Sequence, residues 1–238
     1  MRGDAVRLVA ADFRMVARDP LLALMPFVPF MAAGALRFLL PLLAAFVEDK
    51  TGFRLMAYAD LVLVVITLFP GMFYGMVAGF LLLDDRDDGV STYWGATPVG
   101  RTGYLAARLG LFSAAAFAAG LAVGPVLGVG RLGLAGTTVT SALGAAQVPF
   151  IALFLAAFAA NKVEGLSILK ALSALDMAPL AVMLALPVRA AAWPFPQYWA
   201  AEFALGRNAS PVAAILLGVA TSGLWTAVLA SRYRRRID

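Results

Sequence analysis

The stretch LVLVVITLFPGMFYGMVAGFLLL, residues 61–83, runs for 23 positions without a charged side chain. An α-helix rises about 1.5 Å per residue, so a run of this length crosses the hydrocarbon core of a bilayer, which is roughly 30 Å thick. The segment is therefore predicted to be a membrane-spanning helix.

Five further apolar stretches lead to the prediction of an all-α membrane protein with six transmembrane helices. Hydrophobic residues make up 62% of the 238 positions and charged residues only 14%, a composition far from that of soluble domains. The other predicted spans are residues 21–47, 104–129, 139–160, 171–192 and 212–230. Because no long polar insertion or linker divides them, residues 1–238 are expected to form a single transmembrane domain.

Three segments outside the predicted spans have distinctive compositions. In residues 1–19, arginines and aspartates alternate with apolar residues at helical spacing, which predicts an amphipathic helix at the membrane interface. Residues 84–101 form a largely polar connection between spans 2 and 3. Residues 193–209 combine several aromatic residues with prolines, so we expect this segment to lie at the outer interface.

The distribution of basic residues predicts the orientation of the chain. Of the 19 Lys and Arg residues, 13 fall on the side of the two termini. These are Arg2, Arg7, Arg14, Arg18, Arg86, Arg101, Arg108, Lys162, Lys170, Arg232, Arg234, Arg235 and Arg236. Since Lys and Arg are enriched in cytoplasmic loops, both termini are expected in the cytoplasm. This orientation explains the net charge of +5, and the absence of a basic face argues against a nucleic-acid partner.

The composition also restricts the chemistry of the chain. It has no Cys and no His, which excludes thiolate nucleophiles, imidazole bases and most zinc sites. It also lacks the G-x-x-x-x-G-K-[ST] pattern that cradles phosphates. We therefore predict no catalytic residue, no metal site and no cofactor on this chain.

The densest polar feature is the acidic run from Asp84 to Asp88, which has three interpretations. Asp84, Asp85 and Asp88 have the DDxxD spacing that holds Mg²⁺ in membrane transferases acting on diphosphate substrates. Asp85, Asp88 and Gly89 also resemble the start of the CDP-alcohol phosphotransferase motif, whose later residues do not follow here. The third interpretation is a solvated loop at the membrane edge.

A longer stretch around this run resembles a known family. Residues 84–108, DDRDDGVSTYWGATPVGRTGYLAAR, are similar to the segment that joins spans 2 and 3 of ABC-2 type permeases. In that family the segment contains the coupling helix, which docks on an ATPase subunit. The resemblance implies an ATPase-coupling set consisting of Asp84, Asp85, Asp88, Gly89, Tyr93, Trp94, Thr97 and Pro98.

Two other segments resemble the same family. Residues 156–172, AAFAANKVEGLSILKAL, are similar to its polar turn before span 5, and residues 193–208 lie where these permeases place short extracellular helices. The resemblance implies the permease subunit of an exporter for drug-like, peptide or lipid-like substrates in the bacterial cytoplasmic membrane. Its partners would be an ABC ATPase that binds ATP and Mg²⁺, and a second copy or a homologous permease. A non-transporting immunity or assembly subunit and the Mg²⁺-dependent transferase are the alternatives.

Three polar residues inside the predicted spans are candidates for a substrate path. Arg37 lies in span 1, where an unpaired charge costs about 2.5–3.5 kcal/mol on insertion scales. It is expected to line the path, to pair with a partner or to reach outward to the interface. Gln147 in span 4 is a candidate ligand or a helix-helix hydrogen bond. Tyr74 lies beside glycines 71, 75 and 79, whose spacing predicts close approach of another helix, as a structural contact or a dimer seam.

Overall fold

The computed structural model describes residues 12–89 and 100–237, apart from the side chains at positions 101, 236 and 237. Within these residues every regular element is a helix. Six helices are long and apolar enough to cross a membrane, as predicted. Spans 1 to 6 are Pro20–Thr51, Leu55–Asp87, Thr102–Leu127, Leu134–Phe158, Lys162–Met183 and Pro211–Arg235.

Spans 2 and 4 form the centre of the bundle. In each of them 72% of the most apolar window is buried, against 17% in span 1. The two spans approach closely because glycines on span 2 face span 4. A Cβ atom added at Gly75 would lie 2.8 Å from Cβ of Ile151, and one at Gly79 would lie 2.7 Å from Cδ1 of Leu155. The suggestion that these glycines form a dimer seam is therefore wrong, since span 4 of the same chain covers them.

Two spans are interrupted where proline removes a backbone donor. Span 1 consists of the helix Pro20–Leu24, a 3₁₀ turn Met25–Phe27 that contains Pro26, and the helix Val28–Thr51. Span 4 consists of Leu134–Ala145 and Gln147–Phe158, with a break at Ala146. Pro149 has no N–H to bond to Ala145, and its ring clashes with that carbonyl, which explains the break.

Span 5 begins nine residues earlier than predicted. The helix starts at Lys162, where the side chain of Asn161 caps it by accepting a hydrogen bond from Glu164 N at 3.0 Å. It continues to Leu172 and then as a 3₁₀ helix over Ser173–Met183, which contains Pro179. The predicted boundaries, 171–192, are wrong because the polar residues 161–170 belong to the amphipathic first turns of the span rather than to a turn before it.

The aromatic segment after span 5 turns back into the bundle. It includes the 3₁₀ helix Val188–Ala192 and the helix Pro196–Leu205, whose residues Tyr198 and Glu202 are almost fully buried. The indole of Trp225, about midway along span 6, donates a hydrogen bond of 2.8 Å to the carbonyl of Pro194. The segment was expected along the outer interface. The helix Pro196–Leu205 instead packs against spans 2, 4, 5 and 6.

The N-terminal segment lies against the same core. Residues 12–18 are helical, and residues 1–11 of the predicted interfacial helix lie outside the described residues. Asp19 ends this helix and caps the next one by accepting hydrogen bonds from Leu21 N and Leu22 N, at 2.9 and 3.3 Å. Met15 and Val16 pack against the core, whereas Phe13 is exposed. This two-sided helix matches the amphipathic pattern of the sequence.

Candidate functional site

A buried group of charges, here called the Arg108 cluster, consists of Asp12, Asp85, Tyr104 and Arg108. The side chain of Arg108 is 1% exposed and lies between the carboxylates of Asp12 and Asp85. Its Nε donates to Asp12 Oδ2 at 3.1 Å, and its two terminal nitrogens bond to Asp12 and Asp85. The phenol of Tyr104 donates to Asp85, and the guanidinium carbon lies 4.8 Å from the centre of the Tyr104 ring. The cluster joins the N-terminal helix to spans 2 and 3.

A second group, here called the Lys162 cluster, consists of Asp19, Asp84, Arg86 and Lys162. The ammonium of Lys162 lies 2.8 Å from Asp19 and 2.9 Å from Asp84. Arg86 donates to the carbonyls of Ala159 and Ala160, at 3.2 and 2.6 Å, which satisfies backbone acceptors where span 4 ends. This cluster joins the N-terminal segment and the end of span 2 to the turn between spans 4 and 5.

The two clusters differ in how burial affects their carboxylates. Burial raises the pKa of Asp12 above its ordinary value, and this effect exceeds the opposing effect of the bonded Arg108. The hydrogen bond from Lys162 lowers the pKa of Asp19, which is more exposed to solvent. The Arg108 cluster is thus a desolvated ion network whose members depend on one another, and the Lys162 cluster is a partly solvated one.

The three candidate path residues lie in three different places. Arg37 is exposed and donates to the carbonyl of Val126 at 3.3 Å, near the end of span 3, so its partner is the end of a helix rather than a carboxylate. Gln147 is fully buried and accepts a hydrogen bond of 3.0 Å from Gln197 of the helix Pro196–Leu205. Tyr74 is half-buried beside a cleft of about 490 Å³ between the N-terminal helix, span 1 and span 3. The structure does not bring these residues into one site.

Comparison with known proteins assigns the chain to a transport family. The family model described as fluoroquinolones export permease protein Rv2686c-like matches residues 12–230. The chain belongs to this family. Two curated relatives are the fluoroquinolones export permease proteins MT2760 and Rv2686c, from the CDC 1551 / Oshkosh and H37Rv strains of Mycobacterium tuberculosis. Each is 30% identical over 198 residues, which cover 80% of this chain and 77% of the relative. No solved structure matches the chain significantly.

Membership of the export permease family agrees with the resemblance to ABC-2 type permeases and with the six spans. The chain is a multi-pass membrane protein and a permease of an exporter family. The match includes both charge clusters, since it begins at Asp12 and extends past Lys162. Both clusters therefore lie within the part of this export permease that the family model covers.

The predicted ATPase-coupling residues of the permease fall into three groups. Asp84 lies in the Lys162 cluster and Asp85 in the Arg108 cluster. Asp88 and Gly89 are exposed at the end of span 2, where Gly89 has a φ of +69° that favours glycine. The other four, Tyr93, Trp94, Thr97 and Pro98, lie outside the described residues. The two clusters thus hold the ends of the two spans that flank this connection.

One feature of the sequence points to the Arg108 cluster. Arg108 is the seventh residue of span 3, where a charge requires a partner. Asp12, on the inward face of an amphipathic helix, was a candidate for that partner. The pair is separated by 96 residues, so spacing alone could not identify it.

The geometry of the acidic run does not favour the Mg²⁺-dependent transferase. Such a site requires several carboxylates converging on one point. Asp84 and Asp85 instead point to two different cations, Lys162 and Arg108. Within residues 12–89 and 100–237, no group of three or more acidic side chains is arranged to hold a metal ion.

Proposed function

We propose that this permease is the membrane-spanning subunit of an ATP-driven ABC-2 type exporter. ATP and Mg²⁺ would be bound by a separate ATPase subunit, and the complete transporter would contain a second copy or a homologous permease. The single observation that carries the proposal is the position of the two charge clusters, which surround the ends of the connection between spans 2 and 3. Force applied to this connection would reach the N-terminal helix, spans 2 and 3, and the turn between spans 4 and 5.

The clusters provide a physical route for coupling. An ATPase that moves residues 90–99 displaces the end of span 2 and the start of span 3. Arg108 holds these two ends together and carries the N-terminal helix with them. Lys162 passes the same displacement to the turn before span 5. Packed elements of this kind shift between discrete arrangements, which is what alternation between inward-facing and outward-facing states requires.

The proposed location is a bacterial cytoplasmic membrane with both termini in the cytoplasm. The excess of Lys and Arg on the side of the termini supports this orientation. It would place both charge clusters and the 90–99 connection on the side where ATP is available. The names of the M. tuberculosis relatives suggest fluoroquinolones, or similar amphiphilic aromatic drugs, as substrates.

The first experiment is co-purification of the permease with a co-expressed ABC ATPase from the same organism. The test variant replaces Tyr93, Trp94 and Pro98 by alanine. The matched control replaces Phe53 and Tyr58, which stack at 5.5 Å beside the connection between spans 1 and 2 at the opposite end of the bundle. The wild type and the control should retain the ATPase, and the test variant should lose it.

A second measurement separates transport from assembly. Cells that express both subunits should accumulate less of a fluoroquinolone than cells that express the permease with an ATPase unable to hydrolyse ATP. If the complex forms but accumulation is unchanged, fluoroquinolones are not its substrates; if, in addition, no substrate stimulates ATP hydrolysis, the chain is an assembly or immunity subunit rather than a transporting one. If no ATPase binds even the wild type, the exporter proposal is wrong.

A further inference from the structure

A cleft of about 590 Å³ opens between spans 4, 5 and 6 and is lined largely by aromatic rings. Phe150, Phe154 and Phe158 follow one another at a spacing of four residues, so they lie on one face of span 4. Their ring centroids are 6.1 and 4.6 Å apart in succession. They form a continuous aromatic surface along one wall of the cleft, whose opposite wall includes Ile168 and Leu175 of span 5.

The turn of the segment that re-enters the bundle closes one end of this cleft. Trp225 of span 6 packs edge-on against Phe150, with ring centroids 5.8 Å apart. The same indole donates to the carbonyl of Pro194, and the neighbouring Phe195 lines the cleft. Because Pro194 and Phe195 directly precede the buried helix Pro196–Leu205, movement of that helix would open this end.

The opposite end of the cleft carries one charge of each sign. Glu164 lines the cleft in the first turn of span 5 and is exposed. One of its carboxylate oxygens accepts a hydrogen bond of 2.7 Å from Ala160 N, which fixes the side chain in place. The guanidinium of Arg232 lies 4.5 Å from the centre of the Phe158 ring, at the end of the aromatic surface. A carboxylate and a guanidinium therefore flank the open end.

We propose that this cleft binds the transported substrate, and that the substrate is a planar aromatic amphiphile carrying an amine and a carboxylate. The inference rests on the proposed function and specifies its site. Flat rings stack on the surface of Phe150, Phe154 and Phe158. The ammonium group pairs with Glu164, and the carboxylate pairs with Arg232. The cleft volume falls in the range of roughly 300–1,000 Å³ typical of drug-sized ligands. Fluoroquinolones with a basic ring amine have this chemistry.

The test measures binding to the purified full-length permease in detergent, without the ATPase. The two probes are ciprofloxacin, a zwitterion, and nalidixic acid, which has a similar aromatic core and carboxylate but no basic amine. Binding of ciprofloxacin is followed by its own fluorescence, and binding of nalidixic acid is followed by the amount of bound ciprofloxacin that it displaces. The difference in affinity between the two probes gives the contribution of the amine. The differences among the variants give the contribution of each side chain of the cleft.

Three variants have distinct expected results. Phe154→Ala should lower the affinity for both probes about fivefold, as expected for the loss of one stacked ring. Glu164→Gln keeps the acceptor for Ala160 N and should weaken ciprofloxacin about fivefold while leaving nalidixic acid unchanged. Arg232→Gln should weaken both probes. Phe46→Ala, at an exposed position on span 1, is the control and should bind both probes like the wild type.

Two results would overturn the inference. The first is wild-type affinity of Phe154→Ala and Glu164→Gln for both probes. Phe154→Leu, which keeps most of the buried volume, is the fold control and should elute from size-exclusion chromatography like the wild type. The second is equal weakening of both probes by Glu164→Gln together with displacement of both by a fatty acid, which would identify a lipid site. If the wild-type complex exports ciprofloxacin and the variants bind and export it normally, the proposed function stands and only this site is wrong.

Discussion

The end of the bundle near Asp85 and the end near Glu202 are both held by buried polar side chains, but the bonds differ in range. At the first end, Arg108 bonds to carboxylates 23 and 96 residues away. At the second, Glu202 accepts hydrogen bonds from the phenol of Tyr198 and from Asn208 N and Nδ2, all within six residues. The first network fastens separate segments to one another. The second mainly folds one segment onto itself, with a single bond of 3.2 Å from Asn208 Nδ2 to the carbonyl of Val182 in span 5.

This difference indicates which parts of the molecule move together. The Glu202 network makes the re-entering segment a local unit, which meets span 4 through the hydrogen bond between Gln147 and Gln197. Within the described residues, the other polar amide atoms of this pair, Gln147 Nε2 and Gln197 Oε1, have no partner. Buried polar atoms without partners weaken a contact. The seam between span 4 and this segment is therefore better suited to separate than the Arg108 cluster is.

The largest expected effect comes from removing the central cation of the Arg108 cluster. Arg108→Met leaves the buried carboxylates of Asp12 and Asp85 without their cation, and should lower the free energy of unfolding by about 3–5 kcal/mol. Unfolding in detergent by increasing SDS measures the change. Replacing all three charged residues by Met and Leu should recover most of the loss. Arg54→Met, in an exposed ion pair with Glu48, is the control and should have little effect.

A second variant tests the close packing that connects the two ends. A methyl group on Gly71 would overlap the carbonyl oxygen of Gly144, so Gly71→Ala must push spans 2 and 4 apart. The expected loss is about 2–3 kcal/mol, measured by the same SDS titration. Gly110→Ala is the control. Nothing lies within 4 Å of an added Cβ atom there, and alanine should stabilise that helix by up to about 1 kcal/mol. A neutral result for Gly71→Ala would show that the spans pack more loosely.

A third variant tests whether the Glu202 network is local. Glu202→Gln places an amide donor against the N–H groups of Asn208 and should lower the free energy of unfolding by about 1.5–2 kcal/mol. The effect should be smaller than that of Arg108→Met and confined to the re-entering segment. Hydrogen exchange should therefore rise in residues 188–208 and remain unchanged in spans 2 and 3. Increased exchange in span 2 would contradict the local interpretation.

Hydropathy was sufficient to predict the six spans, because each contains a long apolar run whose physical cause is local. It failed at span 5, where the amphipathic residues from Lys162 resemble a turn but form helix, and where the 3₁₀ segment shortens the apolar part. Hydropathy also gave no sign that the helix Pro196–Leu205 is buried, because its polar residues, Gln197 and Glu202, find partners inside the protein. Asp84 and Asp85 were predicted as coupling residues, but their cationic partners depend on tertiary packing.

The smallest effect should come from the partly solvated Lys162 cluster, and its pH dependence tests the comparison most directly. Asp19→Asn keeps an acceptor for Leu21 N and Leu22 N but removes the charge that faces Lys162. The loss at neutral pH should be about 0.5 kcal/mol, because the pair is screened by solvent.

Lys162 lowers the pKa of Asp19 below 3.8 in the folded protein, so the contribution of the charge is present above pH 3.8 and is lost as pH falls through the lowered value. Wild type and variant should therefore differ at pH 7 in low salt and converge once the pH falls below the lowered pKa of Asp19. Asp49→Asn, in an exposed pair with Lys50, should show no difference at either pH. A loss at pH 7 as large as that of Arg108→Met would mean that both clusters are desolvated, and the distinction between a desolvated Arg108 cluster and a partly solvated Lys162 cluster would fail.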